Sequence, residues 1–134
     1  DPRCRALLLL DPWLRPLDEA IIQRGFDLPI LCLMSEGEFG RTNGAVADRL
    51  VTHSRPTGKV FTIAGSGHYD YSDLPLLSPV TRMFGAKGPI NGRRAARIIN
   101  DYTLEFFEAA LRERPSALLK GEARYPEGRA YDKQ

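Results

Sequence analysis

His68 sits in "AGSGHYDYSD" (64–73), a run rich in small residues that directly follows the apolar stretch "KVFTIA" (59–64). Histidine is the side chain best suited to take and return a proton near neutral pH. The flanking glycines and serine leave room beside it for a reacting group. Acids recur at comparable places. Asp11 closes "CRALLLLD" (4–11), Glu36 and Glu38 end "LPILCLMSEGE" (28–38), and Asp70 and Asp73 follow His68 itself. A histidine paired with a carboxylate is two-thirds of a nucleophile–base–acid triad, in which the acid orients the imidazole and stabilises the imidazolium. The plainer reading is a turn histidine, with acids that cap helices or close turns.

Three apolar runs must position these groups: 4–11, 28–38 and 58–68. Each is short, continuous and bounded by turn residues, the pattern of strands buried on both faces. Between them lie helical patterns. "PLDEAIIQRG" (16–25) reads as a short helix stopped by Gly25. In "TNGAVADRLVTHS" (42–54), Ala45, Val46, Leu50 and Val51 repeat at helical spacing. The clearest helix is 91–114, with a broad apolar stripe through Ala95, Ile98, Ile99, Tyr102, Leu104, Phe106, Phe107, Ala110 and Leu111 and a stop at Pro115. Strand–helix–strand–helix–strand–helix is the order of an open parallel α/β sheet. Ligands and reactive groups then collect at the carboxyl ends of the strands, and all three strands end in ionisable residues. Asp11 or Glu36 would be within reach of His68. Residues 115–134 read as a polar C-terminal tail, of which 120–134, with Gly and Pro, is expected to wrap the surface or to be disordered.

The chain has 134 residues, 43% hydrophobic and 27% charged, which suits one small globular domain. A net charge of +2, with acids and bases interspersed, argues against nucleic acid as a partner. Cys4 and Cys32 lie in separate apolar runs and read as buried free thiols. No apolar run approaches the ~20 residues of a membrane helix. The sequence opens without Met, almost directly on a strand, so the chain is expected to be the C-terminal part of a larger α/β protein, with any targeting region upstream and a soluble or peripheral location. A G-x-S-x-G nucleophile elbow is absent: "LMSEG" has Leu33 and "AGSGH" has Ala64 where the first glycine belongs. A nucleophilic serine and its oxyanion hole would therefore lie before Asp1.

"ALLLLDPWLRPL", "PILCLMSEGE" and "VFTIAGSGHYDYSDLPLL" together resemble the C-terminal half of the plasma-type platelet-activating-factor acetylhydrolases, also called lipoprotein-associated phospholipases A2. The likeness rests on Asp11, Pro12, Trp13, Pro16 and Leu17, and on Gly65, Ser66, Gly67, His68, Tyr71 and Asp73, at a matching separation. It runs over about residues 4–112. It implies the C-terminal half of an α/β-hydrolase fold, about three parallel strands with flanking helices, over residues 1–114. It further implies Asp11 as the triad acid, His68 as the base and Trp13 as a wall of the acyl pocket. Glu36 competes for the acid's role, but the residues after Asp11 match the family and those after Met34 do not. The segment "LPLLSPVTRMFG" (74–85) occupies the place of a lipid-docking element, with Leu76, Leu77, Val80, Met83 and Phe84 as candidates for the interface and core cover as their alternative.

The expected activity is hydrolysis of a short or oxidised sn-2 acyl ester of a phospholipid, with no metal or other cofactor. The expected partners are that phospholipid, a membrane or lipoprotein surface, and the N-terminal half of the same protein. The rivals are a dienelactone-hydrolase-like or polyester esterase on the same scaffold and a non-catalytic binding module. This chain by itself is expected to be inactive.

Overall fold

The computed structural model describes residues 1–56, 58–74 and 87–131. Its four-stranded sheet runs in sequence order, β1 (Leu7–Leu10), β2 (Ile30–Ser35), β3 (Lys59–Ile63) and β4 (Gly128–Ala130). β1, β2 and β3 are parallel, with Leu10 beside Leu33 and Leu33 beside Phe61. Among the described residues, three α-helices join them: α1 (Glu19–Arg24), α2 (Glu38–His53) and α3 (Gly92–Arg112).

β2 is buried at all six positions because both of its faces are covered. Leu31, Leu33, Phe61 and Ile63 pack on one side against Ile98, Ile99, Tyr102 and Phe106 of α3. Ile30, Cys32, Met34 and Val60 pack on the other against Ala47, Leu50 and Val51 of α2, with Leu14. This two-sided burial is why the strand sequences are continuously rather than alternately apolar. Caps set two helix starts: the Asp18 carboxylate accepts from Ala20 N, and Asn91 Oδ1 accepts from Arg93 N and Arg94 N. α2 begins at Glu38, earlier than the 42–54 pattern, because Gly37 provides an extended N-cap directly after β2.

Two expectations need correction. The polar segment after Pro115 is part of the packed domain as far as residue 131. Leu118, in a single 3₁₀ turn (Leu118–Lys120), is fully buried, and β4 pairs antiparallel with β3 through Phe61–Ala130, Thr62–Arg129 and Ile63–Gly128. Polar side chains anchor this segment instead of an apolar stripe. Arg94 Nε and a terminal nitrogen donate to the two oxygens of Glu127 at 2.8 and 2.9 Å. The Arg94 guanidinium also lies 4.7 Å from the centre of the Tyr125 ring, and the Tyr125 hydroxyl donates to Asp101. Cys4, expected to be buried, is exposed because β1 starts only at Leu7. Cys32 is buried in the core, and burial pushes its thiol up to about 12. Both thiols are free.

Candidate active site at the carboxyl edge of the sheet

Asp11 and His68 meet. Asp11 follows the last residue of β1 and takes the left-handed backbone conformation, φ 43°. That conformation is uncommon outside glycine and is tolerated best by Asn and Asp. Two contacts hold it there: Asp11 N donates to Leu33 O at 2.7 Å, and Oδ1 accepts from Ser35 N at 2.8 Å. The side chain is fully buried, and its other oxygen, Oδ2, lies 2.8 Å from His68 Nδ1. A carboxylate can only accept, so Nδ1 carries the proton and Nε2 is left as an acceptor. Nε2 has no hydrogen bond among the described residues.

The His68 side chain is 43% exposed. The Phe39 ring lies over it at 4.1 Å between centroids, and Tyr69 stands edge-on at 5.6 Å. One nitrogen is thus fixed by a buried acid while the rest of the ring borders an open cavity of about 970 Å³. His68, Glu36, Phe39, Lys87 and Arg129 are among its lining residues. An imidazole held in this way can accept a proton at Nε2 from a hydroxyl or water brought to that side.

Glu36, the competing acid, is engaged elsewhere. Its Oε2 accepts from Gly65 N at 2.6 Å, and its Oε1 lies 3.4 Å from Arg129. Glu36 therefore ties the loop that carries His68 to the end of β2. Asp70 is buried under the same loop, where Oδ2 accepts from Gly67 N and from Gly88 N, each at 2.8 Å. Tyr71 is also drawn in beneath His68. Burial pushes its hydroxyl well above the usual tyrosine range, the nearby carboxylates of Asp11 and Asp70 act in the same direction, and Ser66 opposes them.

Trp13 is neither core nor cavity wall. It is 67% exposed and is not among the residues lining the cavity. The chain anchors its neighbour instead: Leu14 is buried, and its amide donates to Asn43 Oδ1 at 2.8 Å. The candidate interface residues Leu76, Leu77, Val80, Met83 and Phe84 lie outside the described residues. Among the described residues, no cluster of His, Cys, Asp and Glu has the arrangement of a metal site. Phe39 carries no signal in the sequence beyond being an aromatic residue two positions after Gly37, which the fold places in the first turn of α2. Asp73 lies beyond the 3₁₀ turn (His68–Tyr71) and is exposed.

The profile of the family described as "Platelet-activating factor acetylhydrolase, isoform II" matches residues 1–116. A platelet-activating factor acetylhydrolase of Gallus gallus is 27% identical over 111 residues, covering 81% of this chain and 26% of that protein. A solved structure of a ferulic acid esterase from Streptomyces cinnamoneus superposes with a TM-score of 0.76 at 23% identity, over 98% of this chain and 41% of that one. The chain thus spans about a quarter and about two-fifths of the lengths of these two proteins. The likeness supports the α/β-hydrolase architecture of the sheet and its flanking helices.

Proposed function

Because the chain belongs to the platelet-activating factor acetylhydrolase, isoform II, family, we propose that it carries the acid and base of a serine-dependent carboxylester hydrolase. The single observation that supports this most is the 2.8 Å contact between buried Asp11 and half-exposed His68 beside a cavity. The nucleophile is a serine upstream of Asp1. His68 Nε2 takes the serine proton as its oxygen attacks the ester carbonyl, and then delivers that proton to the departing alcohol oxygen. Asp11 holds Nδ1–H and stabilises the imidazolium formed in between. Water repeats the sequence on the acyl-serine and releases the acid.

The substrate proposed is a phospholipid with a short or oxidised sn-2 acyl chain. Family membership supports this choice, as does the apolar segment 74–85 beside Lys87. That segment is the proposed contact with a membrane or lipoprotein surface. The N-terminal half of the same protein is the proposed partner that brings the serine and oxyanion hole.

Fluorophosphonate labelling of the full-length protein, with mapping of the modified peptide and assay of soluble and phospholipid esters, tests the reading. A labelled serine upstream of Asp1 and release of the sn-2 acid are expected. Labelling of Ser35 or Ser66, or none on folded protein, would overturn the mechanism. Cleavage of soluble esters alone would transfer the chain to an esterase of water-soluble substrates. Leu77→Ser with Phe84→Ser should weaken vesicle binding and spare soluble-ester hydrolysis; unchanged vesicle binding would remove the interfacial role.

A further inference from the structure

We propose that Asp70 is a positioning residue for His68, acting through the backbone of the loop that carries it; this rests on the reading of His68 as the base. The loop 65–67 has every amide committed. Gly65 N donates to Glu36 Oε2, Ser66 N donates to Ile63 O at 3.1 Å, and Gly67 N donates to Asp70 Oδ2. Two of these acceptors bridge segments: Glu36 also meets Arg129, and Asp70 uses a single oxygen to take both Gly67 N and Gly88 N. One carboxylate oxygen therefore joins the residue before His68 to a strand of backbone far along the chain.

The packing around this bridge leaves no slack. A Cβ on Gly88 would come 2.1 Å from Gly65 O, and one on Gly67 would come 2.8 Å from Gly88 N. The two backbones touch directly, so two amides face one another's segment with no room for side chains to satisfy them. A buried carboxylate placed between them accepts both in charge-assisted bonds. Asp70 is 3% exposed, and its other oxygen is buried with no hydrogen-bond partner among the described residues. Burying an acid is costly unless hydrogen bonds meet its charge, and the two amides that do so here belong to the loop and to the segment packed on it. His68 is the residue next to Gly67, so release of the Gly67 amide frees the imidazole to leave Asp11. The hydrogen bonds of the Asp70 side chain go to Gly67 N and Gly88 N and none to His68.

The test uses the imidazole itself. The protein has two histidines in this region, His53 and His68, and His53 Nδ1 contacts a backbone carbonyl, Arg49 O. A hydrogen-bonded His68 Nδ1–H against a carboxylate gives a strongly downfield proton resonance that exchanges slowly with water. In the folded full-length protein, Asp70→Ala should abolish this resonance by exchange broadening, and Asp70→Asn, which keeps an accepting oxygen but no charge, should retain it with about tenfold faster exchange. Steady-state kinetics should show kcat falling with KM unchanged, in the order Ala below Asn below wild type. An unaltered resonance in Asp70→Ala, or in Asp70→Asn if the alanine variant does not fold, would overturn the proposal. The resonance reports on Asp11–His68 geometry whether or not the protein hydrolyses an ester, so an inactive wild type would count against the hydrolase reading and leave this test intact.

Discussion

Two carboxylates anchor the two ends of this chain, and they are kept in opposite surroundings. Asp11 is fully buried and divides its oxygens between a backbone amide and a histidine. Glu127 is partly exposed and gives both oxygens to Arg94, a two-pronged pair that holds Glu127 below the usual carboxylate range and Arg94 above its own. A buried acid with a single side-chain partner has little alternative to that partner, because water does not replace it. An exposed pair exchanges freely with solvent and contributes little to stability. The difference separates the group proposed to serve chemistry from a group that holds the C-terminal segment against α3.

The largest effect is expected at the buried acid. In the full-length protein, Asp11→Asn should lower the kcat of the proposed ester hydrolysis by about 10³–10⁴-fold, since Asn offers an amide where Nδ1–H needs an acceptor and disturbs the tautomer. Stopped assays on folded variant protein measure it, and a loss under tenfold would mean that another acid serves His68. The second effect is structural and sits at the other end. A Cβ at Gly128 would come 2.0 Å from the Tyr102 hydroxyl, and Tyr102 is fully buried in the core. Gly128→Ala should therefore cost about 1–3 kcal/mol by overpacking and push β4 off β3. Urea denaturation and amide exchange at Ala64 and Tyr131, whose amides bond Glu127 O and Val60 O, would show it.

The next effect is a pH dependence. Tyr71 has its hydroxyl raised in the folded state, so its contribution to stability is present in full below the unfolded tyrosine value of about 10 and is lost as pH rises beyond it. Denaturation midpoints should fall above that pH, and Tyr71→Phe should flatten the decline; an equally steep decline would place its source elsewhere. The smallest effect is expected at the exposed pair. Glu127 is lowered, so the pair acts above the unfolded carboxylate value of about 4 and fades as pH falls through the folded value. Arg94→Ala should shift the melting temperature only slightly at pH 7, and less as pH falls and Glu127 is protonated. A large shift at pH 7 would mean that the Tyr125 ring contact, not the ion pair, fastens the tail.

The two regions also differ in how well they can be read along the chain. β1, β2, β3 and α3 are recognisable from apolar runs and helical spacing, because two-sided burial leaves a periodic mark. β4 leaves none: it is three residues, Gly-Arg-Ala, held by hydrogen bonds from its own backbone and by Arg94 at a distance. Phe39 over His68 and the bridge from Asp70 to Gly88 are equally silent, since neither contact recurs at any period. Trp13 is exposed although the residues around it suggested a pocket or core position, and that outcome turns on Leu14 winning the inward-facing place beside Asn43.

Residue pattern alone settles the α/β class, the strand ends as the place where Asp11, Glu36 and His68 collect, and the family to which those motifs belong. It leaves open which acid faces the histidine. Parallel strands put both within range, and only the register of β1 against β2, the left-handed backbone at Asp11 and the capture of Glu36 by the Gly65 amide separate them. Local sequence encodes which surfaces must be buried, because burial is repeated along an element. It does not encode which of two similar side chains closes a single contact between distant segments, because that depends on how competing hydrogen bonds are shared in three dimensions.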